Sequence, residues 1–162
     1  MKMKIIALFV VISALLFAPV ISAQDTVSSP SVVVDEESLM EAMSADGTWI
    51  VIFENDFSTD EELVFEGEFT NDGEVDRKLA LYKSAEDHSV AERYTLEAPS
   101  ITVKSPNTRF HAGTLVGDVY VEANNFSLRN GFTLDGNIYF ENEEAKSTFT
   151  IQEGAEVTGT LE

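Results

Sequence analysis

From Trp49 onward the chain alternates apolar and polar residues in short runs. TWIVIFEN, ELVFEGEF, KLALYK, RYTLEA, SITVKS, DVYVEA, FSLRN, NIYFEN and STFTIQE follow one another, rich in β-branched and aromatic residues and separated by Asn, Asp, Gly or Pro. Alternation of this kind predicts short strands with one buried face. Helical spacing occurs only before them, in DEESLMEAMSADG, where Leu39, Met40 and Met43 fall on one side. Asp35, Glu36 and Glu37 put negative charge where a helix N-terminus favours it. Ala42 and Ala45 are good helix formers and Gly47 stops the run, so the pattern predicts a helix over about 36–45. After Gly47 the helical pattern does not return. The lone Trp49 is expected in the core, beneath this helix.

The strand phrases repeat. Leu115-Val116-Gly117-Asp118-Val119-Tyr120-Val121 is echoed by Leu134-Asp135-Gly136-Asn137-Ile138-Tyr139-Phe140, 19 positions later. Phe126-Ser127-Leu128 is echoed by Phe149-Thr150-Ile151, and Leu134–Ile138 by Val157–Leu161, both 23 positions later. Ile101-Thr102-Val103 is similar to the Phe126 phrase, and Phe65–Phe69 to the Leu134 phrase. An interval of about 20 residues suits one coil of a parallel β-helix, whose strands stack in register at about 4.8 Å. Val119 is then expected over Ile138 in the core, and Val121 over Phe140. Gly117, Gly136 and Gly159 are expected at corners. Tyr120 and Tyr139, between inward residues, are expected to face outward and stack. A β-sandwich with a hairpin turn at Asn130-Gly131 is the alternative; it gives no reason for repetition in the same sense.

The chain opens MKMKIIALFVVISALLFAPVISAQ. Lys2 and Lys4 precede an apolar run from Ile5 to Phe17, and Ile21-Ser22-Ala23 offers small residues at a cleavage site. These features predict a signal peptide over 1–23. The remaining 162 − 23 = 139 residues suit one domain: a flexible, Ser-rich lead over 24–34 and a folded domain over 35–162. Cysteine is absent, which excludes disulfides, thiolate chemistry and a lipoprotein cut. Without Lys2 and Lys4 the charge balance is 8 − 29 = −21. Such a surface repels nucleic acid, polyanionic wall polymers and anionic lipid, so neither nucleic acid nor, after cleavage, a membrane is an expected partner. Solubility, as in a salty habitat, is the simpler reading of this charge, and a cation site is the alternative.

The phrase SLMEAMSADGTWIVI resembles the N-terminal cap and first coil of right-handed β-helix proteins of the pectin-lyase-like group. The stretch from RYTLEA to STFTI resembles short secreted bacterial proteins without an assigned activity, and brings no catalytic residues with it. GDVYV and GNIYF are similar to the coil phrases of bactofilins, which polymerise end to end; the export signal and the helix before the first coil depart from that group. The expected fold is therefore all-β, a single-stranded right-handed parallel β-helix (solenoid) with a short N-terminal capping helix.

Enzymes on that fold are expected to carry dense acidic clusters, often with an Arg or Lys base and sometimes calcium. Here Asp118 and Asp135 are offset, and no Asp-Asp strand pair, Gly-His-Gly or Arg-x-Lys phrase occurs. No catalytic residue, cofactor or metal ligand is expected. His88 and His111 are isolated. The acidic runs Asp60-Glu61-Glu62, Asp72–Asp76 and Glu141–Glu144 do not have EF-hand spacing and read as solvated turns, with weak calcium binding at most. Twelve positions separate Val103 from Leu115, against six from Leu128 to Leu134 and six from Ile151 to Val157. This predicts an inserted loop holding Asn107, Arg109 and His111, either a tolerated lengthening or a place where binding residues collect. With Tyr120 and Tyr139 these form the candidate binding surface. Nothing after the last repeat reads as a cap. The expected function is that of a secreted, extracellular or cell-envelope protein without enzymatic activity, presenting a rigid surface or self-associating through its C-terminal end. A carbohydrate-binding module for a cell-envelope polymer is the alternative, with a minimal polysaccharide-acting enzyme behind it.

Overall fold

The computed structural model describes residues 29–162. The expected signal peptide and residues 24–28 of the expected lead lie outside them. The rest of that lead is not free: Ser31–Val33 form strand β1, in parallel register with Val51–Phe53. Helix α1 (Glu36–Met43) follows. Asp35 accepts the Ser38 N–H at 2.8 Å while the Ser38 hydroxyl accepts the Asp35 N–H at 2.9 Å, a reciprocal capping box that fixes its start. Leu39, Ala42 and Met43 form its buried face, and it ends at Met43, two residues before the sequence reading.

The chain then runs through β2 (Ile50–Phe53), β3 (Phe57–Ser58) and β4 (Leu63–Phe65). A hairpin of β5 (Thr70–Asn71) and β6 (Glu74–Val75) leads into β7 (Arg77–Ala80). A second hairpin, β8 (Tyr82–Ser84) and β9 (Val90–Arg93), leads into the long β10 (Thr95–Val103). Next come β11 (Thr108–His111), β12 (Thr114–Val121), β13 (Ser127–Arg129), β14 (Thr133–Asp135) and β15 (Ile138–Phe140). Helix α2 (Glu143–Thr148), β16 (Thr150–Ile151) and β17 (Glu156–Val157) complete the order.

The molecule is mostly β, and outside the two hairpins its strands pair in parallel. One sheet runs β1-β2-β7-β11-β13-β16. The other runs β17-β14-β12-β10-β3, with β4 and β15 pairing the second halves of β10 and β12. The strands therefore fall into three columns, and the chain visits them in the same order on each pass. Inward residues make ladders of like side chains. Val51, Leu79, Phe110 and Leu128 stand in one column, Leu96, Leu115 and Leu134 in the second, and Leu63, Ile101, Val119 and Ile138 in the third. All of these are fully buried. Like apolar groups stacked at strand spacing exclude water along the whole column, so packing alone supports a chain without disulfides.

Several sequence readings change. The helical pattern does return: Asn142 caps α2 by accepting the Ala145 N–H at 2.8 Å, with Glu143 and Glu144 in its first turn. Only Ala145 of α2 is buried, so no amphipathic period marked it. Ile101–Val103 pair with Val119–Val121, not with the column of Phe126–Leu128, and Phe65 pairs with Val103 in the third column. The stretch between Val103 and Leu115 is accordingly no inserted loop; it contains strand β11. The additions to the regular pass are the two hairpins and α2. Registered partners lie 19 positions apart at Leu115 and Leu134, 23 across α2 at Leu134 and Val157, 28 across β5–β6 at Ile50 and Lys78, and 31 across β8–β9 at Leu79 and Phe110. Trp49 is half-buried rather than a core residue, because Arg77 takes the inward space beneath α1. Among the described residues no helix is long and apolar enough to cross a membrane.

Candidate functional site

Alternation along β11 turns Thr108 and Phe110 inward and leaves Arg109 and His111 on the outer face of the first sheet. Register sets their neighbours. Lys78 of β7 and Ser127 of β13 flank Arg109, and Ala80 and Arg129 flank His111. Arg93 of β9 reaches across to donate to the Gly131 carbonyl at 2.9 Å and the Asn130 carbonyl at 3.2 Å. Eight basic residues fall within the described residues, and four of them, Lys78, Arg93, Arg109 and Arg129, surround His111. On a chain so acidic this face is the exception.

The two hairpins rise at opposite ends of β7 and wall this face. On the β5–β6 side, Asn107 holds a left-handed backbone (φ 55°) at the start of β11. Its side chain donates to the Val75 carbonyl at 2.8 Å and accepts from Asn125 at 2.9 Å. Arg109 donates to Asp76 at 2.6 Å, and Asp76 also accepts from Asn71 at 3.2 Å. The Trp49 ring centre lies 5.9 Å from the guanidinium carbon of Arg109. Asn71, Asp76, Asn107, Arg109, Asn125 and Arg129 line an open polar pocket of about 420 Å³. On the β8–β9 side, Ile50, Ile52, Tyr82, Lys83 and Tyr94 line a groove of about 490 Å³. Both volumes are in the range of small-molecule sites.

His111 sits between the two. The Tyr82 ring meets it edge-on at 5.3 Å, and its Nδ1 is buried without a hydrogen-bond partner. Burial pushes its pKa down to about 4, and the positive charges of Lys78, Arg109, Arg129 and Arg93 act in the same direction. The imidazole is neutral at pH 7, so the positive potential of the face comes from the arginines and the lysine.

Arg77 points the other way. Its side chain is fully buried and donates to the carbonyls of Ala42, Met43 and Ser44 at 2.9, 3.1 and 3.2 Å, and to that of Thr48. It lies over the rings of Phe65 and Phe69, 4.4 and 4.2 Å from their centres. Burial lowers its pKa to about 10, so it stays charged at pH 7 and satisfies the open carbonyls at the end of α1. Its role is structural.

Tyr120 and Tyr139 are registered in the third column, on the second sheet. Their rings stack at 5.0 Å and 20°, and Tyr120 is 44% exposed. The five candidate residues are therefore split: Asn107, Arg109 and His111 come together, while the tyrosines form a separate face. Asp118 and Asp135 do not pair with each other. Asp118 accepts from the Asn137 backbone and side chain at 2.8 and 3.0 Å, and Asp135 accepts from the Thr158 hydroxyl at 2.8 Å, each bonding to the next layer. Among the described residues no group of three or more His, Cys, Asp or Glu is arranged to hold a metal ion.

Sequence reasoning missed Lys78, Arg129, Asn71 and the hairpin residues Tyr82 and Arg93, and it read Asp76 as part of a solvated turn, whereas Asp76 is buried and held by Arg109. Asn71-Asp72-Gly73 is a hairpin-turn signature that marks the first wall; for the others only the register of β7, β11 and β13 reveals the grouping. Compared with known proteins, the chain matches no family model, no curated protein and no solved structure.

Proposed function

We propose that the three strand columns are the faces of a right-handed parallel β-helix, and that this is an exported interaction protein without enzymatic activity, working through the outer face of its first sheet. Lys2, Lys4 and the apolar run over 5–17 support export. One observation carries the choice of face: Asn107 and Arg109 meet Asn71, Asp76, Asn125 and Arg129 in one pocket beside the basic residues. Amides, carboxylates and guanidinium groups converging in an open pocket suit a ligand rich in hydroxyl and charged oxygen, which favours a cell-envelope glycan. Parallel ladders beneath the pocket fix its walls before any ligand arrives, which lowers the ordering cost of binding.

A second reading rests on the stacked tyrosine pair, whose exposed Tyr120 ring offers a flat platform for a sugar. A panel of neutral and acidic envelope glycans, immobilised and probed with the purified protein, separates the two. Binding lost in Asn107→Ala and kept in Tyr120→Ala/Tyr139→Ala supports the first-sheet face. The reverse supports the platform, and absence of binding to every glycan overturns both.

A further inference from the structure

We infer that the outer face of β7, β11 and β13 carries a site for an oxyanion, a sulfate or phosphate ester, with Arg129 as its main ligand and Lys78 and Arg93 beside it. This rests on the reading that the first-sheet face is the working surface, and it names the chemistry recognised there. The grouping is not a product of local sequence. Lys78, Arg109 and Arg129 come from three successive strands of the sheet, and Arg93 from the hairpin that folds back over it. Parallel register holds them in place: His111 is paired with Arg129, and Lys78 is paired with Arg109 two positions earlier.

The donors left over indicate which groups bind. Arg109 is occupied by Asp76 at 2.6 Å, with Asn71 holding that carboxylate, so Arg109 is a positioning residue whose charge is largely matched. Arg129 spends only its Nε, on the Ser127 hydroxyl at 2.8 Å, and its two terminal nitrogens have no hydrogen-bond partner among the described residues. Lys78 donates to the Tyr82 hydroxyl at 2.8 Å and keeps two of its three donors. Arg93 uses one terminal nitrogen on the Asn130 and Gly131 carbonyls and keeps its other donors. Asp72, Glu74 and Asp76 all lie on the β5–β6 side of the pocket. An anion is therefore favoured on the His111 side, where the cations outnumber the carboxylates.

A tetrahedral ester fits this arrangement better than a carboxylate. β7 and β13 stand two strand spacings apart, roughly 10 Å. Arginine forks and a lysine ammonium spread over that distance reach several oxygens around one centre, or two esters on a chain, where a planar carboxylate fills one fork only. A phosphate monoester, with close to two negative charges at pH 7, also gains more from the local cations, while the acidic remainder of the surface discourages long polyanions from binding elsewhere.

The test is calorimetric titration of the purified protein with inorganic phosphate, inorganic sulfate, a sulfated oligosaccharide, its unsulfated parent, and vesicles containing phosphatidylglycerol. The same titrations are made with Arg129→Gln and with Lys104→Gln, a lysine just past the end of β10 that is paired with Glu122 at 3.9 Å and is not among the basic residues around His111. Circular dichroism checks that both variants fold. The expected result is saturable binding of the sulfated sugar or the inorganic anions, weakened at least tenfold in Arg129→Gln and unchanged in Lys104→Gln. Vesicle binding stronger than that of free phosphate, with the same variant pattern, assigns the ester to a lipid headgroup. No saturable binding of any oxyanion, or equal losses in the two variants, overturns the inference. Retained neutral-glycan binding that depends on Asn107, with no oxyanion binding, defeats the inference alone; loss of the Asn107 dependence with oxyanion binding intact defeats only the broader reading.

Discussion

Gly136 lies directly over Gly117: a Cβ on Gly136 would collide with the Gly117 carbonyl oxygen. The relation repeats, since a Cβ on Gly117 would meet the Ala98 carbonyl and one on Gly159 the Gly136 carbonyl. At this corner between the second and third columns the backbones of successive layers approach too closely for any side chain. Gly136→Ala is expected to lower stability by about 3 kcal/mol, at the upper end of overpacking costs because rigid backbone must move. The urea midpoint measures it; a change under about 0.5 kcal/mol would show that the layers are not stacked this way.

This corner also shows how far the sequence could be read. Leu115 to Val121 and Leu134 to Phe140 are joined by an uninterrupted pass, so their 19-residue echo was plain, and it placed the tyrosine stack and the glycine corner correctly. Earlier layers carry hairpins that stretch the interval beyond recognition. The apolar-polar-apolar phrase is shared by all three columns, so Ile101–Val103 could be matched to the wrong one. The pairing of Lys78 with Arg109, and of His111 with Arg129, depends on register across those stretched intervals. No local pattern carries it.

Arg77→Met is expected to destabilise the protein by about 3 kcal/mol, since it strips a charged donor from the buried carbonyls of Ala42, Met43, Ser44 and Thr48. The loss should be felt first at α1. Hydrogen exchange is the measurement, with faster exchange over 36–47 expected before any change over 114–140.

Acidification should act through His111. Its folded pKa of about 4 lies below the ordinary value of 6.5, so between these limits the unfolded chain binds a proton that the folded chain refuses. Stability from this group is complete above pH 6.5, falls as pH drops toward 4, and is constant below. The comparison is between wild type and His111→Gln, so that contributions common to both cancel. From pH 7 through 5.5 to 4 the wild-type urea midpoint should fall relative to that of His111→Gln if the histidine is held neutral; parallel curves would contradict it.

The tyrosine stack should be worth a measurable coupling. A double-mutant cycle with Tyr120→Ala and Tyr139→Ala is expected to give about 0.5–1.5 kcal/mol in urea unfolding, the range of stacked aromatic pairs. A coupling of zero would mean that the two rings do not stack in solution.

If the outer face of the first sheet is the working surface, a bound sugar must perturb that face before any other. Amide chemical-shift mapping of the isotope-labelled protein, titrated with the sulfated oligosaccharide and its unsulfated parent, tests it most directly. The shifted amides are expected to cluster at 76–80, 107–111 and 127–131. Shifts confined to 119–121 and 138–140, or none with either sugar at saturating concentration, would contradict it.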